Sequence, residues 1–202
     1  DSTQELSTGN YKYTIDTAYA GNNELKVISD NLISIANSLN EKNELIMERL
    51  PEFENLRKNQ EEIKFSDLAG VKKITTESLT AEICGCIQSD DVFSIKVLGD
   101  KQGKEYTQIV FNPREGTYYA TMEESSLLKD VDKRPILGQF EKNEEHKVDL
   151  DILIDCSVVE IFVNKTSCMT LRVYPTLEGG CMSIETDGII KNINLSVYEI
   201  AL

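Results

Sequence analysis

Four carboxylates, Asp149, Asp151, Asp155 and Glu160, fall in one short stretch of otherwise apolar residues, and the first chemistry they suggest is calcium ligation. A calcium loop needs oxygen ligands at its first, third and fifth positions and a glycine at the sixth. Here the fifth and sixth positions are Leu153 and Ile154, so the acids read as the outer face of a strand. Cys84-Gly85-Cys86 brings two thiols onto one face of a strand, but two thiols do not complete a zinc shell. The single histidine, His146, lies in the polar run Asn143-Glu144-Glu145-His146-Lys147 and has no second histidine to work with. Two carboxylates alone can cleave a glycosidic bond, yet among 35 acidic residues a suitably spaced pair arises by chance. Tyr118, Tyr119 and Tyr174 offer aromatic faces for a sugar, although strand tyrosines also serve cross-strand packing. No P-loop, H-E-x-x-H or G-x-S-x-G pattern occurs. The residues therefore assign no catalytic group, no metal site and no cofactor.

The elements that would position these residues are strands. In Asp149-Leu150-Asp151-Ile152-Leu153-Ile154-Asp155, the apolar residues Leu150, Ile152 and Ile154 share one face and the three acids share the other. Asp155-Cys156-Ser157 reads as a turn. Val159, Ile161 and Val163 line the inner face of the return strand, and Val158, Glu160 and Phe162 line the outer face. An outward Phe162 among acids implies that something covers it. Short apolar segments recur from residue 79 onward: 79–87, 92–98, 106–112, 117–122, 148–155, 158–164, 168–174, 181–185 and 189–200. Turn signals such as Asn112-Pro113, Gly179-Gly180 and Asp187-Gly188 separate them. This spacing predicts an all-β chain built as an antiparallel two-sheet sandwich of the jelly-roll or concanavalin-like kind.

Residues 1–60 read as an irregular extension and residues 61–202 as the sandwich. Within the extension, Tyr11–Ile15 alternates weakly, Gly21-Asn22-Asn23 is a turn, 24–28 is a short strand and 31–43 is a loop or short helix. A further strand is expected at 44–49, a short helix beginning at Pro51, and a charged connector at 58–62.

Composition narrows the partners. The chain has 202 residues and a net charge of −14, which argues against nucleic acid and anionic membrane surfaces. No apolar run approaches the roughly 20 residues of a membrane-spanning helix, and no signal-peptide core is evident. Tryptophan, the residue best suited to stack on sugars, is absent. Five cysteines form an odd set, read as buried free thiols with a Cys156–Cys168 bridge as the alternative. The chain starts at Asp1, as a cleaved secreted chain or an excised piece would. The compartment stays open, with an extracellular one favoured.

The run Leu150-Asp151-Ile152-Leu153-Ile154-Asp155-Cys156-Ser157-Val158-Val159-Glu160-Ile161-Phe162-Val163-Asn164, followed by Met169-Thr170-Leu171-Arg172-Val173-Tyr174-Pro175, resembles a family signature. It is similar to the C-terminal β-sandwich module of glycoside hydrolase family 32, the β-fructosidases. Leu50-Pro51-Glu52-Phe53-Glu54-Asn55-Leu56-Arg57 resembles the linker that enters that module. Cys156 departs from the pattern, which has arginine there, and Ala120-Thr121-Met122-Glu123 replaces an expected Asp-Arg-Ser strand.

The resemblance implies a non-catalytic module that supports a catalytic propeller, mediates dimerisation, or recognises a fructose-containing carbohydrate. The alternative is an autonomous lectin-like carbohydrate-binding module. The catalytic motifs of the family's propeller have no counterpart here, so none of its three carboxylates carries over. The residues singled out as carbohydrate or interface candidates are Tyr118, Tyr119, Glu160, Phe162, Arg172 and Tyr174. Glu160 is expected to pair with Arg172 or a lysine on the same face.

Overall fold

The computed structural model describes residues 46–201. The expectations for 11–15, 21–23, 24–28, 31–43 and the start of 44–49 lie outside the described residues. Among the described residues a 3₁₀ turn, Pro51–Leu56, precedes ten strands. They are β1 Arg57–Ile74, β2 Thr80–Ser89, β3 Phe93–Asp100, β4 Thr107–Asn112, β5 Thr117–Thr121, β6 Ile136–Gln139, β7 Lys147–Asp155, β8 Val158–Val163, β9 Ser167–Arg172 and β10 Gly179–Ile200.

All pairing is antiparallel, in the order β6-β5-β4-β3-β10-β2-β7-β8-β9, with β1 along the other edge of β10. The first part of β10 pairs with β3 and its later part with β2, so this one strand serves both layers of the sandwich. The crossing point is Thr186–Ile189. There the Asp91 carboxylate accepts the Ile189 N–H (3.0 Å) and Thr186 Oγ1 donates to the Val92 carbonyl (2.9 Å). The buried Ser89 hydroxyl donates to the Asp91 carbonyl (2.7 Å).

The hairpin of β7 and β8 matches its expected register. Asp155 pairs with Val158 across a two-residue turn, and Leu150, Ile152, Ile154, Val159, Ile161 and Val163 are all buried. Each such side chain contributes roughly 1.5–3 kcal/mol by leaving water. Cys156 takes φ 51° in that turn, and its N–H donates to the Leu79 carbonyl (2.7 Å). Core packing between the layers includes a stack of Phe93, Phe111 and Tyr118, with centroids 5.1 and 5.8 Å apart. The Tyr118 hydroxyl lies 2.9 Å from Ser167 Oγ, joining β5 to β9.

Several expected boundaries differ. Residues 58–62 are not a connector but the start of β1. This strand escapes the sequence pattern because it is an edge strand with most side chains exposed, which removes the apolar alternation. Residues 181–185 and 189–200 are one strand, and Asp187-Gly188 bends it without turning it back. Residues 46–50 form no strand; Met47 makes one backbone bond, donating to the Lys165 carbonyl (2.7 Å). β6 is a further strand that the apolar pattern does not show. The five cysteines are free, but none is fully buried, and Cys156 and Cys168 are exposed.

Gly85 interrupts β2 with φ +138°, and a Cβ there would lie 2.2 Å from the Asn194 carbonyl oxygen on β10. Gly85→Ala should therefore cost at least about 2 kcal/mol, a fall in melting temperature of roughly 4–8 °C for a chain of this size. Differential scanning calorimetry reads this directly. An unchanged transition would show that β2 and β10 can separate locally at no cost.

Candidate functional site

The most concentrated charge in the described residues lies on the outer face of β2 and β7, where the entering segment crosses them. Glu82 on β2 is fully buried although it faces outward. Arg57, the first residue of β1, grips it with two contacts, Nε to Oε2 at 2.6 Å and Nη2 to Oε1 at 2.7 Å. The Arg57 guanidinium also lies 4.5 Å over the Tyr198 ring. Arg49, on the entering segment, places Nε 2.7 Å from both Glu82 Oε1 and Asp151 Oδ2. Its Nη2 donates to Glu54 Oε1 (2.8 Å).

Local sequence explains why these groups meet. Leu50-Pro51 starts the 3₁₀ turn, and six residues later the chain enters β1 as Arg57. Both arginines thus flank one turn and converge on one carboxylate. Met47 N–H to the Lys165 carbonyl, Lys165 Nζ to Glu48 Oε2 (3.0 Å) and Ala201 N–H to the Leu56 carbonyl (2.9 Å) fix the segment at both ends. Beneath it is a cavity of about 300 Å³ lined by Met47, Arg49, Pro51, Asp149, Asp151 and Phe162. Phe162, half-buried, lines this cavity together with Met47, Arg49 and Pro51 of the entering segment.

The electrostatics separate the two acids. Burial alone would raise Glu82, but the Arg57 hydrogen bonds and the charges of both arginines hold it below the usual carboxylate range. Burial pushes Asp151 up to about 7, reinforced by the negative charge of Glu82. Asp151 Oδ1 is buried without a hydrogen-bond partner among the described residues. The separated pKa values of these two carboxylates do not make them a catalytic pair. Both sit on one guanidinium, whereas a glycosidase pair must hold a sugar between its carboxylates. What the arrangement does chemically is fasten the segment to the sandwich. Of the three acids expected outward on β7, Asp149 and Asp155 are exposed, whereas Asp151 is drawn into this cluster.

The residues singled out from sequence are not brought together. Tyr118 is in the core, with no free face. Tyr119 is 42% exposed on the opposite side of β5. Glu160 and Phe162 lie on the outer face of β8, half-buried. Tyr174 is exposed beyond β9. The expected Glu160–Arg172 pair does not form: Glu160 registers with Thr170, Arg172 registers with Val158, and the Arg172 guanidinium lies 5.6 Å from the Tyr174 ring instead. Glu160 makes no ion pair among the described residues. Nor is there, among them, any group of three His, Cys, Asp or Glu residues that could hold a metal. No helix there is long and apolar enough to cross a membrane. Sequence reasoning passed over Glu82, Arg49 and Arg57. The available signal was a glutamate between Ala81 and Ile83 in an apolar strand, with an arginine closing the linker motif.

The family model described as glycosyl hydrolases family 32 C terminal matches residues 52–199. A curated relative, acid beta-fructofuranosidase of Vicia faba, is 35% identical over 92 residues, covering 42% of this chain and 14% of its own length. Exo-inulinase from Aspergillus awamori superposes with TM-score 0.64 at 18% identity, covering 70% of this chain and 29% of that one. Sucrose-6-phosphate hydrolase from Lactobacillus gasseri gives TM-score 0.60 at 20% identity, covering 75% and 30%. The chain spans less than a third of the length of each.

Because the folded pKa of Asp151 lies above its ordinary value, its contribution to stability is complete below about pH 4 and is lost as pH rises toward 7. Glu82 has the opposite sign, contributing above its ordinary pKa and losing that contribution on acidification. Asp151→Asn should therefore gain stability relative to the parent chain as pH rises from about 4 to 8. Urea unfolding at stepped pH values checks this. A stability difference independent of pH would mean that Asp151 keeps its charge in the fold.

Proposed function

We propose, from the premise that this chain belongs to the glycosyl hydrolases family 32 C-terminal family, that it is a non-catalytic module whose work is to hold an adjoining catalytic domain in place. The chain is a family 32 C-terminal β-sandwich. The domain it would support is a β-fructosidase propeller, and the substrates of that whole protein would be sucrose or fructans. One observation carries the reading: the entering segment is clamped to the sandwich by a fully buried glutamate between two arginines. A segment fastened only by surface pairs, each worth about 0–1 kcal/mol, could swing freely. Removing one partner of a buried pair costs about 3–5 kcal/mol, so this clamp sets the direction in which the chain enters.

The test joins the sandwich behind a family 32 catalytic domain and follows fructose release from sucrose after heating. Glu82→Gln should shorten the half-life of activity by about a hundredfold, as expected for a loss of about 3 kcal/mol that falls on the unfolding rate. The specific activity of unheated protein should not change. The same half-life for both proteins would overturn the supporting role. The 202-residue chain alone should release no fructose from sucrose, levan or inulin. Turnover that disappears when one of its own carboxylates is replaced would refute the non-catalytic reading.

A further inference from the structure

The clamp holds one acid more than its arginines can neutralise. Glu54, Glu82 and Asp151 meet two guanidiniums, those of Arg49 and Arg57. Arg57 directs both of its short contacts at Glu82. Arg49 Nε then stands 2.7 Å from Glu82 Oε1 and 2.7 Å from Asp151 Oδ2. That nitrogen carries one hydrogen, and it is well aimed at neither oxygen. Asp151 Oδ1 is sealed from water and has no donor among the described residues. Burying an ionised carboxylate is costly unless it is paired and hydrogen-bonded. One proton on Asp151 answers both faults. It cancels the surplus charge, and it gives Asp151 an O–H to donate to Glu82, which lies within hydrogen-bonding reach.

The neighbours keep their charge while Asp151 changes. From β2, Glu82 and Cys84 face it, Cys84 as its cross-strand partner. Glu82 stays below the usual carboxylate range despite its burial, through its Arg57 hydrogen bonds. Burial pushes the Cys84 thiol up to about 11. From the entering segment come Arg49 and Glu54, and the hydrogen bond between them holds Glu54 low. The cross-strand partner on β8 is Phe162, which is uncharged. Asp149 precedes Asp151 on the same face of β7, and across the cavity Glu48 pairs with Lys165. Burial, with the Glu82 charge beside it, brings Asp151 itself to about 7.

The segment and the proton are linked through Arg49. If residues 46–56 lift away, Arg49 goes with them and Asp151 returns to water, where an aspartic acid ionises near about 3.9. The closed form thus binds the proton more tightly than the open form. Acid favours closure. Between about pH 4 and 7 each unit of rising pH favours opening by up to about tenfold; above that range both forms are ionised and the dependence ends. We propose that the entering segment is a proton-operated latch: Asp151 and Glu82 share one proton while the segment is closed, and losing that proton releases Arg49. This rests on the supporting role proposed above and adds its regulation, with the adjoining domain held tightly in acid and more loosely toward neutrality.

Trypsin reads the release, because it must take the Arg49 guanidinium into its own pocket before it cuts the Arg49–Leu50 bond. The 202-residue chain and Asp151→Asn, which is uncharged at every pH and keeps a hydrogen-bond donor, are digested in parallel from about pH 5 to 8. Mass spectrometry follows cleavage at that bond, and the ratio of the two rates cancels the protease's own pH dependence. The two chains should be cut at similar rates at about pH 5, and the parent at least about tenfold faster at about pH 7.5. Carbon-13 NMR of the side-chain carboxyls should show one that titrates near about 7 and is missing in Asp151→Asn. Its midpoint should fall in Glu82→Gln, where the neighbouring charge is gone and the burial remains. A rate ratio that stays constant across the range, no carboxyl titrating above about pH 6, or a midpoint unmoved in Glu82→Gln would each overturn the latch. None of these results decides the supporting role, which is read from heat inactivation at a single pH.

Discussion

Everything in the sandwich hangs on one strand that belongs to two layers. β10 is 22 residues long, and a strand of that length cannot stay in one flat layer, because strands twist and a sheet must bury one face. The chain resolves this by bending at Thr186–Ile189, where Gly188 leaves room for the Asp91 carboxylate. β2 and β3 then lie end to end along one edge of β10, while β1 follows the other edge through a register shift at Ala69/Gly70. The Ser89, Asp91 and Thr186 hydrogen bonds satisfy the backbone groups that the bend would otherwise strand. Without that crossing, the Phe93–Phe111–Tyr118 stack would have no opposite layer to meet.

The clamp works on a different principle. Glu82 occupies a position whose side chain points away from the core, yet it is sealed from solvent by the segment that its own charge recruits. Burying a carboxylate is costly unless it is paired and hydrogen-bonded; Arg57 supplies a two-point grip and Arg49 a second positive charge. Asp151 shares Arg49 Nε with Glu82, and its burial together with the neighbouring Glu82 charge holds its proton more tightly. The stability gained from such a cluster is modest, and its larger effect is directional. A departing segment would take Arg49 away from both Glu82 and Asp151 and open Glu82 to water.

The two outer faces thus differ in kind. One is closed over by the entering chain and is rich in ion pairs that are shielded from water. The other is open, with the Lys96–Glu185 pair and exposed apolar residues beside it. Shielding strengthens the first set and makes it suited to holding structure.

The β7–β8 hairpin was legible in the sequence because its inner residues alternate with a period of two and every inward position is apolar, so only one register buries them. The β-sandwich class and the family resemblance followed from that same stretch and from the turn spacing. β1 was not legible, since an edge strand has little buried face and so leaves no alternation to read. Tyr118 and Tyr119 are adjacent and identical in type, and pattern alone gave no reason to separate them. Pairing with Phe111 and Val110 turned one into the core and the other out to water. Arg49, Glu82 and Asp151 lie on three separate segments, and Arg172 and Glu160 were the nearer pair in sequence. Which charges meet depends on strand order and register, set by burial across the whole sheet. Local sequence therefore determined which faces are apolar, and only tertiary pairing decided which polar groups share a face.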